Sequence, residues 1–212
     1  MERSGVETVR FVVRTIAETV VENETYFGEL DAVVGDGDFG YSLARGFEKV
    51  LLDWDTFEEP TAGLFLKKVA TIITSRIGGT SGPIWGTAFL RAAVTIGEKE
   101  ETTETDAIAM LRAAIEGIKK RGQADLGDKT LLDALIPAVD QLEQAFTASA
   151  NAATALEQAA RVARAQAEAT RELLAKRGRA AYSGERSIGT LDAGAVAVAV
   201  LFERVSQVWP DK

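Results

Sequence analysis

The chain has 212 residues, 46% hydrophobic and 26% charged, which is ordinary globular usage; this excludes a disordered chain and predicts a single domain, residues 1–212, with a sizeable core. A net charge of -8 argues against nucleic acid or an anionic membrane as partner, so any phosphate must be held by local charge or by a cation. With no cysteine and no histidine, the chain cannot use disulfides, thiol catalysis, an imidazole base, its own phosphohistidine or a Cys/His zinc site.

The first residues carry no apolar signal core, and no apolar run is long enough to span a bilayer, which predicts a cytoplasmic protein. Val6, Val9, Val13, Ile16 and Val20 recur at helical spacing, with Ser4 as N-cap, and predict an amphipathic helix that stops near Asn23. An aspartate-rich loop is expected next, holding Asp31, Asp36 and Asp38 among Gly35, Gly37 and Gly40. Glycine permits left-handed or extended turns, so Asp36 and Asp38 can be aimed at one point. Carboxylates without a nitrogen or sulfur ligand suit Mg²⁺, which commonly takes one or two carboxylates together with nucleotide phosphates.

Two other readings of this stretch fail. Gly35-x-Gly37-x-x-Gly40 has the letters of a dinucleotide fingerprint, but two aspartates within it would repel a pyrophosphate unless a metal stood between. Counted as a calcium loop from Asp36, it puts Tyr41 at the obligatory glycine and Phe47 at the bidentate glutamate. Taken alone, Gly-Asp-Gly is also ordinary surface-turn chemistry.

Residues 41–54 are predicted to form a helix with Leu43, Phe47, Val50 and Leu51 on one face, and a third helix carries Leu64, Leu66, Val69, Ile72 and Ile73 and ends before Gly78. The turn of residues 78–83, Gly-Gly-Thr-Ser-Gly-Pro, leads into an apolar helix through Trp85, Phe89, Leu90 and Ala93. Its free N–H groups and hydroxyls make either an anion cradle or a plain helix–helix linker. Residues 103–121 read as an amphipathic helix. The Gly127-Asp128-Lys129-Thr130 stretch then resembles a P-loop only superficially, since a residue is inserted before the lysine and no buried strand precedes it.

A helix over 131–146 contains Pro137, which is expected to kink it, and 151–176 is an alanine-rich helix suited to close packing. The mixed-charge loop 177–189 leads to Asp192 at the mouth of a last helix, 195–208. Its arginines suit either a phosphate or a solvated basic turn. No period-two alternation, repeat or low-complexity linker occurs. The expected architecture is all-α, with about eight helices packed antiparallel.

Together these loops resemble one family, the nucleotide-binding L subunit (DhaL) of bacterial dihydroxyacetone kinase. The resemblance rests on residues 35–40, 78–83, 127–130 with Asp133 and Pro137, and 184–189 with Asp192, in the family's order over nearly the whole chain. It implies a barrel of eight antiparallel helices, with ADP or ATP bound at one end through two Mg²⁺ ions. Asp31, Asp36 and Asp38 would be the metal ligands. Phe39, Gly40, Tyr41, Ser42, Thr80, Ser81, Gly122, Leu131, Arg179, Asp192, Ala193 and Gly194 would form the nucleotide pocket, Arg179 also steadying the phosphates during transfer.

Phe39 and Thr190 stand where the family usually has histidine, and Ala193 where it usually has proline. These departures bear on substrate choice and catalytic tuning rather than on the aspartates, and fit a branch acting on another short ketose such as a tetrulose. The resemblance further implies a separate K subunit that holds the ketose covalently on its own histidine, with this chain supplying Mg²⁺ and nucleotide. The donor would be ATP, or ADP rephosphorylated in place by a phosphohistidine protein of the sugar phosphotransferase system. A nucleotide-loaded partner of a transcription regulator, without catalysis, is the alternative from another functional class.

Overall fold

The structure, a computed structural model, describes residues 5–210; the expected cap Ser4 lies outside them. Among the described residues there are nine α-helices, three short 3-10 segments and no strand. The helices are α1 (Gly5–Glu22), α2 (Glu24–Ala32), α3 (Phe39–Leu52), α4 (Ala62–Arg76), α5 (Ser81–Ile96), α6 (Glu104–Gly122), α7 (Leu131–Thr147), α8 (Ala152–Ala169) and α9 (Ala193–Val208). The all-α expectation holds. No helix among the described residues is long and apolar enough to cross a membrane.

The chain falls into two compact units, one of Met1–Glu22 with Ser42–Arg121 and one of Asn23–Tyr41 with Gly122–Lys212. In the first unit, Val9, Val13 and Val20 of α1, Leu43, Phe47 and Val50 of α3, and Leu66, Val69 and Ile73 of α4 are buried, as their spacing predicts, and Ala17 and Phe65 join them. Leu64 and Leu90, assigned to apolar faces by the same spacing, are exposed. Helix α4 starts at Thr61, whose hydroxyl accepts the Leu64 N–H. Thr103 and Asp106 cap α6 reciprocally, the Thr103 hydroxyl accepting the Asp106 N–H and the Asp106 carboxylate accepting the Thr103 N–H. The Lys99 ammonium, 2.5 Å from Asp106, leads the hydrogen bonds that hold this carboxyl down to about 2.

In the second unit, α7, α8 and α9 pack through small side chains. Ala134, Ala138, Ala163, Ala167, Ala195, Val196 and Ala199 form one buried cluster, with Leu131 packed against it. Small residues let the helix axes approach closely, which is why the alanine-rich stretch is core. Arg164 of α8 adds a two-pronged ion pair to Glu203 of α9, both contacts 2.7 Å. Helix α7 runs unbroken through Pro137.

Three expectations are corrected. The loop expected after Asn23 contains helix α2, so Asp31 stands in the last turn of a helix. Only Phe27 of α2 is buried, and Gly28 lowers its propensity, leaving almost no periodic signal to read. The alanine-rich helix ends at Ala169, where the buried Thr170 turns its hydroxyl back to the Ala167 carbonyl and accepts the Asp192 N–H. The basic loop is largely 3-10 turn, Arg179–Ser187, broken at Gly184, whose φ is 57°.

Candidate functional site

The three aspartates converge. One oxygen from each of Asp31, Asp36 and Asp38 lies within 4.8 Å of the others. Helix α2 delivers Asp31, and the turn between α2 and α3 delivers the other two. The chain must be bare where Asp31 folds over it, because a Cβ on Gly35 would meet the Asp31 carboxylate, with its Cγ at 2.7 Å. Gly37 takes a left-handed φ of 76°, and Gly40 abuts the α2 backbone at Glu24 and Gly28. The Asp31 carboxylate also accepts the Phe39 N–H at 3.4 Å, tying α2 to the start of α3, and the Phe39 ring packs on Phe27.

Arg179 reaches this cluster from the 3-10 segment, pairing with Asp36 and standing 3.7 Å from Asp38. Ser183 ties the same segment to the aspartate turn by donating to the Val34 carbonyl at 3.1 Å. Oxygen-only carboxylate donors with an adjoining guanidinium fit a hard divalent cation carrying an anionic ligand, and do not fit zinc.

Two helix starts meet beside it. A Cβ on Gly194, near the start of α9, would lie 3.3 Å from Leu131 Cβ and 3.4 Å from its nitrogen, and 3.1 Å from the Asp192 carboxylate, so Leu131, Asp192 and Gly194 are neighbours. Asp192 caps α9 by accepting the Ala195 N–H at 2.7 Å. Burial pushes its carboxyl up to about 7; the cap bond and Lys129 oppose this, while Asp133 and Asp31 add to it. Gly122 closes α6, and the next carbonyl, Gln123, accepts the Arg177 guanidinium at 2.6 Å.

Ser42, Thr80 and Ser81 belong to the first unit. There Ser42 Oγ faces Gly78, 3.9 Å from where a Cβ would stand, at the edge of the turn that opens α5. Gly79 has a φ of 61°, and Thr80, at the N-cap, makes no side-chain cap bond. Tyr41 is exposed.

Sequence reasoning overlooked Lys129. It is 2% exposed, has a left-handed φ of 61°, and gives its ammonium to the carbonyls of Leu173, Ser187 and Thr190 at 3.2, 2.5 and 2.8 Å. Burial lowers its pKa, Asp192 opposing and Arg171 reinforcing the shift. The local signal beside it, likewise overlooked, is the Thr130-x-x-Asp133 spacing of a capping box; Asp133 accepts the Thr130 N–H at 2.7 Å.

A family model described as the DAK2 domain matches residues 33–207. The chain belongs to the DAK2-domain family. It is 34% identical to the PEP-dependent dihydroxyacetone kinase, ADP-binding subunit DhaL, of Escherichia coli K12, over 97% of this chain and 98% of that one. It is 35% identical to an L-erythrulose 1-kinase of Mycolicibacterium smegmatis over 92% of this chain, which there amounts to 34% of the longer protein. A crystal structure of the dihydroxyacetone kinase from C. freundii in complex with AMP-PNP and Mg²⁺ superposes with a TM-score of 0.72 at 26% identity, covering 98% of this chain and 35% of that one. This DAK2 domain is thus a homologue of phosphotransferase subunits, and the resemblance read from its loops holds.

Proposed function

We propose that this DAK2 domain is the nucleotide-binding subunit of a cytoplasmic short-ketose kinase, working as one domain over residues 1–212. The observation that carries the reading is the convergence of Asp31, Asp36 and Asp38 with Arg179 at their edge. The three carboxylates would hold two Mg²⁺ ions together with ADP or ATP, and the ions when bound would neutralise charge on the phosphate oxygens. Phe39, Gly40, Tyr41, Ser42, Thr80, Ser81, Gly122, Leu131, Asp192, Ala193 and Gly194 would contact the nucleotide, and Arg179 would steady the transferring phosphoryl group.

In the transfer, the bond from phosphorus to its leaving oxygen breaks as one to a ketose hydroxyl oxygen forms, and the hydroxyl loses its proton. This chain has no histidine, which fits the division of labour that the family resemblance implies, in which a separate K subunit would hold the ketose and take the proton of its hydroxyl. The chain's own contribution is positioning and electrostatics. The PEP-dependent dihydroxyacetone kinase relative supports dihydroxyacetone as the ketose and PEP as the origin of the phosphoryl group, which would reach ADP through the phosphohistidine protein that the resemblance implies.

A second reading, a four-carbon ketose, is favoured by the erythrulose kinase relative and by Phe39 and Thr190 at positions where the family usually has histidine. A nucleotide-loaded partner of a transcription regulator remains the non-catalytic alternative. Native mass spectrometry of the purified chain tests the site: added mass equal to ADP and two Mg²⁺, lost with EDTA, is expected. A chain that stays bare and takes up no Mg-ATP would overturn the reading. Turnover of dihydroxyacetone against erythrulose with an added K subunit separates the ketoses, and nucleotide binding without turnover of either favours the regulatory role.

A further inference from the structure

We propose that Lys129 is the positioning residue of this nucleotide site: its ammonium pins both ends of the 173–190 segment and thereby holds Arg179 against Asp36 and Asp38. The inference rests on the role assigned above to Arg179 and the carboxylates. An ammonium has three N–H donors and no acceptor. Here all three are spent on backbone carbonyls, one where the segment begins, at Leu173, and two where it ends, at Ser187 and Thr190. Among the described residues no carboxylate is hydrogen-bonded to the ammonium, so the side chain acts as a three-way tie between chain segments rather than as half of an ion pair. Its backbone position points the same way. A left-handed φ strains a residue with a Cβ, and glycine would avoid that strain.

Asp128 adds an outer strap to the same segment. Its carboxylate receives Lys176 and Arg177, each at 3.2 Å, and its carbonyl accepts the Lys176 N–H at 3.1 Å. Arg179 follows two residues later. Inside the segment, Ser187 accepts the Ala175 N–H and donates to the Gly184 carbonyl, so its two ends are also tied to each other. The chain between them can then swing only as a unit, and Ser183 fixes its far side to Val34. A guanidinium on such a segment reaches the carboxylates without first paying the ordering entropy of a free loop.

The test is a calorimetric cycle on the full chain with Mg-ADP as ligand, using Lys129→Met, Arg179→Ala and the double variant, beside hydrogen exchange of residues 173–190. We expect Lys129→Met to weaken Mg-ADP by about tenfold, the scale of a lost supporting contact around a metal site. Exchange should rise in 173–190 but not in α7 or α9. The double variant should bind within about twofold of Arg179→Ala, because one change acts through the other. Fully additive losses, or unchanged affinity in Lys129→Met, overturn the proposal. If Lys129→Met loses helical content, the exposed pair Lys176→Met/Arg177→Met carries the test: a smaller loss in the same direction is expected, and wild-type affinity overturns it. A wild-type chain that fails to bind Mg-ADP overturns the site reading itself, a result distinct from wild-type binding that Lys129→Met leaves untouched.

Discussion

The Arg179 guanidinium is ion-paired with the Asp36 carboxylate, although the two come from the two separate stretches of sequence that make up the second unit. A cation at the three aspartates would draw on the same oxygens, so the guanidinium and a bare metal ion compete, whereas a metal-bound polyphosphate offers the guanidinium a new anionic partner. Arg179→Ala is therefore expected to act with opposite signs. Affinity for free Mg²⁺ rises, and affinity for Mg-ADP falls by about tenfold or more, the scale of a lost charge-assisted bond. Two calorimetric titrations on the same variant check this, and a parallel change in both would refute it.

Asp36→Asn or Asp38→Asn removes one exposed carboxylate, a metal ligand in the proposed function, from the turn between α2 and α3. Helical content by circular dichroism should match wild type while Mg-ADP binding loosens by at least about tenfold. Unchanged affinity would remove these carboxylates from the metal site.

Gly35→Ala probes the cluster without touching a charge. The new methyl group would occupy the space of the Asp31 carboxylate, so Asp31 must turn away. A loss of Mg-ADP affinity comparable to that of the Asn variants is expected, with stability lowered by only about 1 kcal/mol. A thermal melt and a titration on the same sample separate the two effects.

Asp192 gives the fold a pH dependence of unusual sign for an aspartate. Its folded carboxyl, raised to about 7 from an ordinary 3.8, binds a proton more tightly than the unfolded one. That contribution to stability is complete below the unfolded value and is lost as pH rises through about 7. Urea unfolding in EDTA should show a decline on the order of a few kcal/mol between pH 4 and pH 8. Asp192→Asn keeps an oxygen to cap α9 and should flatten that slope; a slope equal to wild type would assign the titration elsewhere.

Arg164 and Glu203 are each about one-third exposed and meet through two 2.7 Å bonds. Arg164→Met leaves Glu203 without its partner and is expected to cost about 1 to 3 kcal/mol in stability, with nucleotide affinity unchanged. Denaturant midpoints with and without Mg-ADP check it.

The sequence alone determined the helical class, most helix boundaries to within a few residues and the aspartate–glycine turn, because helical periodicity, capping residues and glycine punctuation are written within short windows; the family was legible only through the resemblance of four loop motifs taken in order. What it could not contain was decided by long-range contacts. Asp31 stands on a helix because α2 is held by neighbours such as Phe39 and Gly40, not by a periodic face of its own. The alanine-rich helix stops at Ala169 because Thr170 is claimed by Asp192, a residue remote in sequence. Lys129 reads locally as a charge beside a turn, and it becomes a buried tie only when Leu173, Ser187 and Thr190 turn their carbonyls toward it. Likewise, the raised carboxyl of Asp192 is set by desolvation and by charges that only folding brings near.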